Sequence, residues 1–159
     1  MRLLSLDLDR YGPFTAKRLA FRADARLHVV FGPNEAGKSS ALAALTDLLF
    51  GVKRQTPDDF LRPGKEMRLG AQVRARDGQD LAFVRRKLKP LLSGPDNAPL
   101  QDDALAPFLG GVSRDVFQRA FGLDAAALRQ SGDDLKASDG ELGAALFSAA
   151  SGLRGISEI

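Results

Sequence analysis

Residues 32 to 39 read Gly32-Pro33-Asn34-Glu35-Ala36-Gly37-Lys38-Ser39, and every residue type in that spacing has a part in holding a polyphosphate. Gly32 and Gly37 carry no Cβ and can take positive φ. Successive backbone N–H groups from Asn34 to Lys38 can then converge on phosphate oxygens that a side chain would hold away. Lys38 supplies a mobile ammonium for the β- and γ-phosphates, and Ser39 supplies a hydroxyl able to ligate Mg²⁺. A helix opening near Lys38 adds unpaired N–H groups and the positive end of its dipole, both favourable to an anion. From ordinary residue frequencies, a chance match in a chain of this length is expected roughly once in a hundred sequences or less.

That chemistry needs a strand before the loop and a helix after it. Arg26-Leu27-His28-Val29-Val30-Phe31 is a β-rich apolar run, and Ser40 to Phe50 is dense in helix formers, with Gly51 as its stop. Upstream, Leu4, Leu6 and Leu8 alternate with Ser5, Asp7 and Asp9, which predicts a half-buried strand. Tyr11-Gly12-Pro13 turns it into a second, antiparallel strand over Lys17 to Arg22. Downstream, Gln55 to Lys65 holds Pro57, Pro63 and Gly64 and predicts an exposed loop. Met67 to Arg76, a turn at Asp77-Gly78 and Leu81 to Leu88 form a hairpin, and proline-rich 89–100 is expected to be irregular.

From Asp102 the pattern becomes helical. A short helix over Asp102 to Phe108 ends at Gly110-Gly111, Ser113 caps a second through Phe121, and Ser138-Asp139-Gly140-Glu141 is a capping box opening a third. The fold class expected is α/β, a P-loop NTPase with an antiparallel β-layer, a P-loop β–α unit and a C-terminal helical part. Residues 1–159 read as one domain, β-rich over 1–100 and helical over 101–159.

Composition narrows the partners. The 159 residues include no cysteine and one histidine, His28, which excludes disulfides, thiolate metal sites and histidine clusters. On a strand, His28 reads as a packed or half-exposed residue. No stretch approaches the ~18 apolar residues of a membrane helix, and the acidic, alternating start is a strand, not a signal peptide. A cytoplasmic protein without membrane contact is expected. A net charge of +3 is too small to argue nucleic-acid binding alone. Arg85-Arg86-Lys87-Leu88-Lys89 is one basic run, however, and Arg62, Lys65 and Arg68 form a looser group; each fits either a phosphate backbone or a solvated strand end.

The antiparallel hairpin ahead of the loop, rather than a loop after the first strand, resembles the ATPase heads of the SMC and SbcC group. Within it the chain resembles the YhaN-type ATP-binding proteins. The ordered matches are Asp9 to Phe14, Gly32 to Ser40, Asp59-Phe60-Leu61, Phe108 to Val112, Phe121-Gly122-Leu123-Asp124 and Leu146 to Gly152. The resemblance implies ATP and Mg²⁺ as cofactors, with Asn34, Gly37, Lys38, Ser39 and Ser40 wrapping the triphosphate and Ser39 on the metal. It places Arg10 within reach of the nucleotide or a partner head. It further implies a longer protein in which this N-terminal half-head meets its own C-terminal half-head across a coiled coil. Such heads dimerise around ATP, and an SbcD-like nuclease and DNA are their partners in double-strand-break repair or DNA-end processing.

Three departures bear on activity. Where relatives carry a magnesium-contacting glutamine, the register here gives Asp124 or Ala125; Asp124 can ligate the metal through water, while Gln118 and Gln130 fit solvated helix positions. No Asp-Glu pair follows four apolar residues, so the Walker B carboxylates are missing. Leu92-Ser93-Gly94-Pro95 looks like the signature motif only superficially, because Pro95 and its loop oppose a helix start. ATP hydrolysis is therefore expected of the full protein, not of this chain alone. An alternative is a nucleic-acid platform, with Arg85, Arg86, Lys87 and Lys89 on the phosphates and the nucleotide as a regulatory ligand.

Overall fold

The computed structural model describes residues 1–53 and 64–121. Strands β1 (Arg2–Tyr11) and β2 (Phe14–Ala20) form the expected hairpin, turned by Gly12 at φ +49°. Strands β3 (Arg68–Arg74) and β4 (Asp80–Arg86) form the second, turned by Gly78 at φ +90°. With β5 (Leu92–Ser93) they make an antiparallel five-stranded sheet in the order β2-β1-β3-β4-β5. Helix α1 (Lys38–Phe50) lies against β1 and β3. The short helices α2 (Ala106–Leu109) and α3 (Arg114–Ala120) follow.

The core lies between one sheet face and α1, where Leu6, Leu8, Leu69, Val73 and Phe83 meet Ala44 and Leu48. Two bulges in β1 decide which of its residues join them. A register shift between Leu3 and Ser5 packs Leu3, not the expected Leu4, against the core. A second shift between Leu8 and Arg10 sets Asp9 and Arg10 together opposite Arg68. Strict alternation would carry Arg10 inward after Leu6 and Leu8; the extra residue turns it out and brings Tyr11 in, 1% exposed.

The strand expected at 26–31 is absent. Residues 21–37 hold neither strand nor helix, and Leu27, Val29 and Phe31 are 78%, 72% and 89% exposed. A run apolar on both faces suits a strand flanked by neighbours on each side, and its N–H and C=O groups need those neighbours to form a ladder. Among the described residues none pairs with it. The P-loop β–α unit is thus a loop and helix here.

Residues 89–100 are more ordered than their prolines predict. Leu92 and Ser93 pair with Arg85 and Val84, and Leu92 is buried. Gly94 N–H donates to Ala98 O, which closes a small turn beyond the strand. The helix expected over 102–108 contracts to α2, ended by Gly110 at φ +60°. Ser113 caps α3 as predicted, its Oγ accepting from Val116 N–H. The motif at Asp59-Phe60-Leu61, most of the loop expected over 55–65, Asp124 and the capping box at Ser138 lie outside the described residues. No helix among the described residues is long and apolar enough to cross a membrane.

Candidate nucleotide site

Residues 32–37 lead directly into α1, so the helix begins on Lys38 itself. Gly37 at its N-cap is left-handed, φ +87°, and no side chain caps the first turn; nor does any acid stand there. Serine, aspartate or asparagine at an N-cap normally supplies the missing acceptor. Here the first-turn amides are left for an anion. Two backbone bonds close the loop: a turn, Ala36 N–H to Pro33 O, and the first helical bond, Ala41 N–H to Gly37 O at 2.9 Å.

Of the loop glycines, only Gly37 combines positive φ with a steric conflict; Gly32 is merely crowded. A Cβ on Gly37 would lie 2.5 Å from Cζ of Phe14, whose ring at the start of β2 rests on the loop. One on Gly32 would meet the Ala36 methyl at 3.1 Å. Glu35 holds φ +65°, a left-handed conformation that costs a non-glycine residue roughly 1–2 kcal/mol. Strain of this kind concentrates where a loop must present its backbone. Lys38 Nζ donates to Gly32 O at 2.9 Å and Pro33 O at 2.7 Å, so the ammonium bridges the two arms of the loop. Pro33, Asn34, Glu35, Ala36, Lys38 and Ser39 are exposed.

The opposite end of α1 is closed. Its C-cap Gly51, φ +97°, donates N–H to Asp47 O. Asp47, 4% exposed, accepts from the Tyr11 hydroxyl at 2.8 Å and forms an ion pair with Arg114 of α3. Arg114 Nη1 also donates to Gly51 O at 2.7 Å. From β4, Arg85 Nε donates to Leu48 O at 2.5 Å and Nη2 to Leu49 O at 3.3 Å. Burial pushes the Arg85 guanidinium down to about 10, against the pull of Asp102 and Asp47, so it stays charged at neutral pH. Two cations therefore occupy the negative end of the helix dipole. Sequence reasoning missed Tyr11, Asp47 and Arg114. One signal was present: Asp47 stands near a helix C-terminus, where a carboxylate is disfavoured unless a cation answers it.

A family model described as an AAA domain matches residues 1–159. The chain belongs to the AAA domain family. No curated protein matches it. An AAA domain is an ATP-binding module, and the loop's bare amides, its glycine cradle and the Lys38 ammonium are the donors that a triphosphate requires.

In this AAA domain the predicted loop residues Gly32 to Ser40 stand together. Among the described residues no cluster of three His, Cys, Asp or Glu could hold a metal ion. Ser39, exposed as the second residue of α1, carries a hydroxyl of the type that ligates Mg²⁺ beside phosphate oxygens. Arg10 pairs with Glu66 at 3.4 Å and lines a groove whose lining includes none of residues 32–40. The basic run is divided. Arg85 faces α1 and is 7% exposed, so it is withdrawn from any phosphate backbone, while Arg86 bonds Asn97 Oδ1 on the other face. His28 is exposed and meets Phe21 edge-on at 5.2 Å. Leu92-Ser93-Gly94-Pro95 runs from β5 into a turn, so no helix starts there.

Proposed function

We propose that this AAA domain is the N-terminal lobe of a YhaN-type head of the SMC and SbcC group. It binds Mg²⁺-ATP in the cytoplasm and couples that binding to head dimerisation in DNA-end processing or double-strand-break repair, beside an SbcD-like nuclease. Lys38 neutralises charge on the β- and γ-phosphates, the amides from Asn34 to Lys38 hold their oxygens, and Ser39 offers its hydroxyl to the metal. Water activation falls to a carboxylate that this sequence does not supply.

The observation that carries the reading is a prepared phosphate loop beside a strand-like sequence that has no strand partner among the described residues. Leu27, Val29, Val30 and Phe31 are more than half exposed immediately before Gly32. Such a run is covered when strands of another segment flank it, the role of the C-terminal half-head in this reading. Calorimetric titration of Mg²⁺-ATP into the complete head, wild type against Lys38→Ala, tests it. Loss of charge-assisted bonds should weaken affinity roughly ten- to a hundredfold. Equal affinities would reject the assignment.

A further inference from the structure

The turn between β1 and β2 reaches both ends of α1. Tyr11 and Phe14 are register partners across it. The Tyr11 hydroxyl holds Asp47 near the helix C-terminus, and the Phe14 ring meets Gly37 at the N-cap, about 15 Å away along the axis. A regular strand would not put Phe14 there. On β2, Leu19 pairs with Leu6 and packs on the core. Phe14 lies an odd number of positions from it, so strict alternation would turn the ring to the opposite face. Between them Ala16 holds φ +49°, a left-handed conformation uncommon in a residue that carries a Cβ. It stands across from Asp9, where β1 also bulges, and the hairpin pairing passes over both residues. Together the two irregularities carry Tyr11 and Phe14 onto the α1 side. Bulges recur beside functional sites, where they re-aim a side chain.

We propose that Phe14 is a positioning residue for the phosphate loop: its ring holds Gly37 left-handed and so keeps the first-turn amides of α1 aimed at the ligand. This role rests on the ATP-binding reading above. The three atoms nearest a Cβ built on Gly37, at 2.5, 3.0 and 3.4 Å, all belong to the Phe14 ring, so the ring tip is the surface against which the loop turns into the helix. Core packing alone does not account for a phenylalanine here. Its strand is an edge of the sheet, exposed from Thr15 to Arg18 and at Ala20, and Phe14 itself is only half-buried. The other brace of the loop is exchangeable, because a phosphate competes with the Gly32 and Pro33 carbonyls for the Lys38 ammonium. An aromatic ring against a glycine enters no such exchange and fixes the loop before and after the ligand arrives. A loop that holds its binding shape only about a tenth of the time binds about tenfold more weakly.

Calorimetric titration of Mg²⁺-ATP into the complete head, with urea unfolding of each variant, tests the role. Phe14→Leu keeps an apolar side chain in the hairpin and withdraws the ring tip; it should weaken affinity roughly five- to tenfold. Phe14→Met, unbranched and long enough to reach Gly37, should restore affinity to within about twofold of wild type. Leu81→Ala, a truncation on β4 against the same core, should lower stability at least as much as Phe14→Leu and leave affinity unchanged. A Phe14→Leu head that binds as wild type does, a Phe14→Met head as weak as Phe14→Leu, or an equal loss in Leu81→Ala would each overturn the proposal. Lys38→Ala in the same series separates this role from the reading beneath it. If Lys38→Ala loses affinity and Phe14→Leu does not, nucleotide binding stands and Phe14 only packs; if the wild-type head binds no nucleotide, both fall.

Discussion

The two ends of α1 are built on opposite rules. At its N-terminus the amides have no cap, the preceding residues are exposed, and Lys38 bonds only carbonyls of its own loop. At its C-terminus three elements far apart in the chain close in: Tyr11 from β1, Arg85 from β4 and Arg114 from α3 take up Asp47 and the carbonyls of Leu48, Leu49 and Gly51. A helix anchored firmly at one end can present unsatisfied donors at the other without fraying. Stability sits at the anchored end and ligand capacity at the open one.

Removing Arg114 should break that division most severely. Arg114→Ala leaves buried Asp47 with the Tyr11 hydroxyl as its hydrogen-bond donor and Arg85 as the nearby charge, and breaking a buried ion pair from one side costs up to about 3–5 kcal/mol. Urea unfolding should show the loss; a change below about 1 kcal/mol would mean that the pair anchors nothing. Arg85→Ala should follow at about 2–3 kcal/mol, since two carbonyls lose a charged donor. Arg85→Met should cost less than Arg85→Ala, because it fills the volume and removes a desolvated cation. If the two cost the same, the hydrogen bonds and not the packing hold the helix end.

Gly37→Ala should cost about 2 kcal/mol, from the left-handed φ and the overlap with Phe14. Adding Phe14→Leu separates the two causes: the overlap should be relieved and the φ penalty retained, so the double variant should recover part of the loss. Strict additivity would show that Phe14 does not rest on the loop in solution.

The open end was legible in the sequence and the anchored end was not. A phosphate loop is local: eight consecutive residues specify it, and its glycines are needed for reasons visible residue by residue. The clamp joins Tyr11, Asp47, Arg85 and Arg114, which are brought together by pairing of β1 with β3 and of β3 with β4, and by the turn into α3. Both hairpins followed from alternation and turn residues, yet the bulges that turn Arg10 outward and Tyr11 inward leave no trace in a period-two pattern. The strand expected at 26–31 failed for a related reason. Its apolar residues were read correctly, but a strand exists only with a partner, and composition does not say where that partner lies.

The smallest expected effect is the most discriminating. Lys38→Ala should change the stability of the chain by less than about 0.5 kcal/mol. Its two bonds are to exposed carbonyls that water serves equally well, and exposed contacts of a long flexible cation bring little net gain. The same substitution should weaken Mg²⁺-ATP in the complete head by at least an order of magnitude. A residue that is nearly neutral in unfolding and costly in binding has its purpose in the ligand. Should urea unfolding of Lys38→Ala instead reveal a loss comparable to that of Arg85→Ala, the ammonium would be a structural brace for the loop. The two ends of α1 would then differ in exposure alone.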